Sequence, residues 1–384
     1  MKTIELNVPT LLKFKLIDYW NDNYITKDFT PENKTLLVNN SLDLWLYILN
    51  NSIRTKYSSK KFGNIFSSLL NKRYIIREKD KRIRYTQILK SLIDTSAVEI
   101  NDKFSSKAFS KSYRITEQSY SLLERSSFTL PQDPRDNMIH RSKLDHLNSF
   151  AFTPYYQEIK PVIQYHYDTQ INYKELSIDL EYQKTLGEIN SEDEFHYLNT
   201  ALKYNQQFFY FSRPTPEGRF YSSLTSLPKK VRKHLYLDGM PTCEIDLMNA
   251  FPFFLSHIVD DKLFRQHTSQ GIFYDYIADK LGRSREVIKK FVYQYIIYGK
   301  RKSRIFDKIY PNLQDKIMEI PDIYNEVSKI EASIFVPSFP FPALPIHDCL
   351  LVRNIPNDLR PTKELVSRFL DKGLSYPPLN SECN

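Results

Sequence analysis

Residues 242–254, TCEIDLMNAFPFF, constrain the fold more than any other stretch of this chain. Alternation places Thr242, Glu244 and Asp246 on one face of a strand and Cys243, Ile245 and Leu247 on the other, because successive side chains of an extended chain point to opposite sides. With the Cys/Ile/Leu face buried, Asp246 points into a cleft at the strand's end. A second stretch, LPIHDCLLV at 344–352, repeats the arrangement: Ile346, Asp348 and Leu350 share a side, and His347 faces away. A buried carboxylate has to be paired or metal-bound. Two of them ending apolar strands favour metal ligation, although a turn or helix cap would explain either one alone.

Between these stretches, REVIKKFVYQYIIYGK at 285–300 reads as an amphipathic helix. Ile288, Phe291, Val292 and Tyr295 form its apolar stripe, and Glu286, Lys290, Gln294 and Tyr298 recur at intervals of four on another. Alone it would be an ordinary surface helix. Set between two strand-borne aspartates, a lysine helix is what nucleotidyl transfer needs: carboxylates for a pair of divalent ions, and a cation over the triphosphate.

Composition narrows the alternatives. The 384 residues allow two or three domains and a sizeable core. A formal charge of +9 points to an anionic partner, and 14% aromatic content suits stacking on single-stranded or primer-template nucleic acid, although most such rings belong to cores. Only 8 glycines are present, which excludes Gly-rich phosphate loops. Cys243, Cys349 and Cys383 show no CxxC spacing, so neither a zinc site nor a disulfide framework is expected. The start MKTIELNVP has no signal-peptide core, and no apolar run is long enough to span a bilayer; the expectation is a soluble, cytoplasmic protein with no membrane partner. Abundant Lys, Asn, Ile, Tyr and Phe match AT-rich codons, as in an AT-rich bacterium or mobile element.

Residues 1–40 carry no clear period. Helical spacing starts at Leu42, Trp45 and Leu49, and further helices fit 61–71 and 85–93, followed by a hairpin of two alternating segments around Val98–Ile100 and Tyr113–Ile115. Three helices and a hairpin over 41–116 resemble a winged-helix module, with the basic run at 71–85 suited either to DNA or to plain solvation. Residues 117–207 read as a helical connection. Within it Asp179 and Glu181 form an Asp-x-Glu too isolated to be a proofreading site, and SEDE at 191–194 opens a helix with Ser191 as cap.

The stretches around Asp246, Lys290 and Asp348, in this order, resemble motifs A, B and C of the superfamily that contains family A DNA polymerases and single-subunit, phage-type RNA polymerases. EGRFYSSLTSLP at 217–228 resembles its Gly-Arg motif, and YDYIADKLG at 274–282 the lead into motif B. The likeness covers roughly the last 170 residues.

It implies an α+β fold with an α/β right-hand palm, formed by 208–264 and 341–384, and helical fingers over 265–340, with the winged-helix-like module before them and 117–207 as a reduced thumb. It further implies a template-directed nucleotidyltransferase, foremost a compact DNA polymerase of a replication or defence system, using two Mg²⁺ ions on Asp246 and Asp348, with Mn²⁺ able to substitute. Lys290, eight residues before Tyr298 as in the family, would contact the triphosphate and protonate pyrophosphate. Gln294, Tyr298, Phe251 and Arg285 would join it around the nucleotide, Phe251 as a barrier to the 2′-hydroxyl. Arg219, Lys229, Lys230, Lys300, Arg301, Lys302 and His347 would lie along primer and template. Two departures stand out: Cys349 replaces a glutamate usual after the motif C aspartate, and Glu286 stands where many relatives carry a second cation, a place that Arg283, Arg285 or Lys289 could fill. A single-subunit RNA polymerase or primase fits the same motifs, and a non-catalytic nucleic-acid-binding protein on a palm scaffold is the alternative outside enzymes.

Overall fold

Two hydrophobic cores form from this sequence, and the chain passes between them more than once. The computed structural model describes residues 2–56, 63–64, 75–78, 81–101, 112–116, 125–132, 156–207, 209–297 and 302–383. The protein is mixed α+β and mostly helical, with its main strands in a curled antiparallel sheet. One compact unit comprises residues 1–145, 171–208 and 228–231, and the other 146–170, 209–227 and 232–384.

The first unit is built on the helix Pro31–Lys56. It starts with proline at its first position and the Thr30 hydroxyl accepting from Asn33 N–H at 3.3 Å, which satisfies a donor that no helical turn can reach. Leu37, Leu42, Trp45 and Leu49 are buried on it, each worth roughly 1.5–3 kcal/mol of apolar burial. Trp45 meets Phe195 edge to face at 6.4 Å, and Trp20 donates its indole N–H to Ser41 at 3.1 Å, so the large polar-tipped ring is both buried and satisfied.

The first forty residues join this unit: Lys2–Pro9 pairs antiparallel with Arg125–Gln132, and the helix Thr10–Asp22 buries Leu12, Leu16 and Trp20. The helix Tyr85–Asp94 and the pairing of Val98–Asn101 with Ser112–Ile115 match the sequence expectation. Gly63–Asn64 does not: it is a strand paired with Tyr113 and Ser112 rather than helix, in keeping with the poor helix propensity of Gly and Asn, and the rest of 61–71 lies outside the described residues. The helix cap near 191 moves back by one. Asn190 accepts from Asp193 N–H at 2.9 Å and Asp193 returns the bond at 3.2 Å, while Glu194 pairs with Lys184 at 2.7 Å. Asp179 and Glu181 sit on one helix, Tyr173–Thr185, where Asp179 accepts from Gln183 at 2.7 Å.

The second unit holds the sheet. Its strands are β1 (Thr169–Ile171), β2 (Leu235–Leu237), β3 (Met240–Leu247), β4 (Ala343–Ile346), β5 (Cys349–Arg353) and β6 (Leu379–Cys383), in the order β4-β5-β3-β2-β1 with β6 also on β3. Strand β3 is central: Thr242 to Asp246 pair with Arg353 to Cys349 on one edge, and Cys243 to Leu247 pair with Cys383 to Leu379 on the other. The C-terminal segment Leu379–Cys383 is thus a strand of the main sheet. Cys243 is disulfide-bonded, against the expectation of no disulfide.

Helices α1 (Ala250–Ile258), α2 (Lys262–Ser269), α3 (Phe273–Leu281), α4 (Arg285–Phe291), α5 (Ile323–Phe335) and α6 (Arg360–Asp371) complete this core. Cys243, Ile245 and Leu247 enter it from the sheet, with Phe253 and Phe254 of α1 packed on Phe369 of α6 at 5.6 and 5.8 Å. The stretch 313–336 is two helices, Leu313–Met318 and α5, with Pro321 in the break. Among the described residues no helix is long and apolar enough to cross a membrane.

Candidate functional site

Asp246 and Asp348 come together because β3 and β5 are neighbours. Cys349 is the register partner of Asp246, and Leu247 N–H donates to the Asp348 carbonyl at 3.1 Å, so Asp246 at the end of β3 lies beside the residue that precedes β5. Both are partly buried. Ile346 pairs with Cys349, leaving His347 and Asp348 as a two-residue turn instead of strand positions. His347 takes φ of 55°, a left-handed conformation that costs a non-glycine residue roughly 1–2 kcal/mol. The ring lies edge-on to Tyr221 at 5.3 Å, and burial, then Arg219 and Arg232, push the imidazole down to about 4. Burial raises the Asp348 carboxyl above its usual range, opposed by its own backbone N–H and by the charges of Arg219 and Lys289.

Beside the aspartates, Glu244 is buried and paired with Arg232 at 3.0 Å. The Cys349 thiol lies 4.0 Å from the Glu244 carboxylate. Burial, with Glu244 and Asp246 nearby, drives it well above the ordinary thiol range and keeps it protonated. Among the described residues no three metal-ligating side chains gather. Two oxygen donors without a thiolate suit Mg²⁺, which binds through one or two carboxylates and completes its shell with water and substrate phosphates. The residues present fit that ion.

The Gly-Arg segment is a hairpin in which Phe211 and Ser212 pair with Ser222 and Tyr221. Its loop is tight: a Cβ on Gly218 would stand 2.6 Å from Thr215 Oγ1, and buried Arg213 donates to the Gly218 carbonyl at 3.1 Å. Arg219 makes a bidentate pair with Glu331 of α5, both bonds 2.6 Å, and donates to Tyr324 Oη at 2.8 Å. It is committed to the protein's interior in this structure. Burial pushes the Glu331 carboxyl up to about 7 against the pull of Arg219, with Asp348 adding to the rise. The sequence reading does not single out Glu331. A signal exists nonetheless: Ile323, Val327 and Glu331 recur every four residues, placing a carboxylate on a buried stripe.

The remaining helix differs most from its sequence reading. Helix α4 stops at Phe291, and Val292–Ile297 continue as a π-helix, whose i→i+5 bonds shift each later residue relative to the α-helical period. Lys289 and Lys290 are both exposed, as are Glu286 and Gln294, but the lysine whose charge acts on Asp348 is Lys289. One turn before Lys289, Arg285 reaches Asn249 Oδ1 at 3.3 Å and Asp275 at 3.2 Å, and lies 5.5 Å from the Tyr274 ring. Asn249, three residues after Asp246, sits at φ 54°, which Asn tolerates better than most residues, and its amide donates to the Gly271 carbonyl. Phe251 is buried in the core with its ring 5.8 Å from Tyr293.

Of the expected nucleic-acid contacts, Lys302 is exposed and paired with Asp315. Lys229 is exposed, and Lys230 bonds Gln183 and lies 3.7 Å from Glu188; both belong to the first unit. Tyr298, Lys300 and Arg301 lie outside the described residues. Comparison with models of known families, with characterised proteins and with solved structures finds no match for this chain.

Proposed function

We propose that this protein is a template-directed nucleotidyltransferase with a polymerase-type palm, foremost a compact DNA polymerase acting on primer-template. The observation that carries this reading is the placement of Asp246 at the end of β3 beside the turn that bears Asp348, with Arg285 and Lys289 one turn apart on α4. Asp246 and Asp348 would hold Mg²⁺, or Mn²⁺ in its place; the chemistry gained there is a lowered pKa of the primer 3′-hydroxyl and neutralised charge on the departing pyrophosphate.

The chain's own residues do the rest. Lys289 and Arg285 bind the triphosphate as cations spaced one helical turn, replacing the expected Lys290 and removing the anomaly of Glu286. Cys349 stays a neutral thiol and leaves the oxygen donors undisturbed. Phe251, braced by Tyr293, walls the sugar pocket. Arg219 and Glu331 hold the strand-turn framework behind Asp348 in place of a template contact.

The test is extension of a labelled primer by the purified protein with Mg²⁺, comparing dNTPs with NTPs and reactions with and without template. Template-dependent dNTP incorporation is expected. Efficient unprimed NTP polymerisation would move the assignment to an RNA polymerase or primase, and no incorporation under any condition would overturn it.

A further inference from the structure

A pocket in the same unit is lined by none of the residues assigned to nucleotidyl transfer. Helices α1, α2, α5 and the turn after α6 surround a pocket of about 390 Å³. Arg265 from α2 and Lys372 after α6 line it, and among the described residues no carboxylate does. Arg265 is anchored by its Nε donating to the Ser256 carbonyl at 3.1 Å, which fixes the guanidinium, and among the described residues its Nη groups make only a loose contact, 3.8 Å, to highly exposed Asp260. Among the described residues no carboxylate pairs with Lys372. Two cations from separate elements, converging on one concavity whose lining holds no counter-charge, are an arrangement that a bound anion stabilises.

His257 also lines the pocket. Its Nε2 accepts from Ser375 N–H at 3.4 Å and lies 3.0 Å from Ser375 Oγ, which is itself 2.7 Å from Ser269 Oγ. Burial, then the charge of Arg265, pushes this imidazole down to about 4, so the ring is neutral. Ile330 and Leu374 add aliphatic lining. Cations together with an apolar wall match a phosphorylated small molecule better than a bare metal or a peptide.

We propose that this pocket binds the di- or triphosphate group of a small ligand, with Arg265 and Lys372 as the phosphate contacts. The shared chemistry is a polyanionic phosphate, supplied either as free pyrophosphate or as a nucleotide. The experiment is an NMR titration of the full chain, following the His257 ring while adding pyrophosphate, inorganic phosphate or ADP in separate arms. Saturable shifts of the ring and a rise of its pKa are expected with pyrophosphate and ADP, since an anion offsets the Arg265 charge. Tighter binding of ADP identifies a nucleotide that uses the Ile330–Leu374 wall, and equal binding identifies the phosphates alone. Lys372→Glu, a change at an exposed side chain, should weaken binding by at least about tenfold with the melting temperature unchanged. No saturable shift up to roughly 10 mM of any of the three, or unchanged affinity in both Lys372→Glu and Arg265→Gln, overturns the proposal.

Discussion

Strands β3 and β5 fix the direction of each side chain through hydrogen bonds to neighbours on both sides, whereas the helix from Arg285 to Ile297 passes its phase from one residue to the next. The ladder from Thr242↔Arg353 to Asp246↔Cys349 therefore sets the face on which Asp246 leaves the strand end, and it sends Cys243, Ile245 and Leu247 together into the core. Helical phase accumulates at about 100° per residue, so one π turn is enough to displace everything counted across it. The interval of four from Glu286 selects Lys290, whereas the lysine charge acting on Asp348 is that of Lys289.

The largest effects should come from the strands. Asp246→Asn and Asp348→Asn are each expected to lower extension by about 10³-fold or more, the several kcal/mol of charge stabilisation that depend on full carboxylates, while primer-template affinity is kept. Single-turnover rates measure this, and a variant within tenfold of wild type would remove the strand side of the comparison.

Glu331→Ala comes next. It leaves Arg219 buried without its partner, which costs about 3–5 kcal/mol, read from the denaturant midpoint at constant slope. A loss under about 1 kcal/mol would mean that Arg219 turns outward and is open to nucleic acid after all.

The helix is tested by Lys289→Ala against Lys290→Ala. The first should lower kcat/KM for the nucleotide by about 10–100-fold, in line with a lost charge-assisted contact, and the second by less than about threefold. The reverse order would restore the uninterrupted α-helical reading. Phe251→Ala should reduce the preference for dNTPs over NTPs by about tenfold as the overlap with a 2′-hydroxyl is relieved. An unchanged ratio in a folded, active variant would make Phe251 a core residue only.

Much of the candidate site was legible because it is local. Asp246, Asp348, the Gly218-Arg219 turn and the start of α4 each lie within a short segment with its own period or turn chemistry. What was not legible depends on distant partners. Strand β6 comes from LNSEC, which carries no apolar alternation and becomes a strand only because β3 offers it a free edge. Glu331 looks like a surface glutamate until Arg219 arrives from 112 residues away. His347 is read as a strand residue until Ile346 pairs with Cys349 and forces the turn.

The most direct test of the central claim is Mn²⁺ binding in the presence of primer-template and dNTP, followed by electron paramagnetic resonance for wild type, Asp246→Asn and Asp348→Asn. The account predicts saturable binding by wild type that either substitution weakens by at least about tenfold, because each removes one of two carboxylate ligands. Equal Mn²⁺ uptake by all three proteins would contradict it.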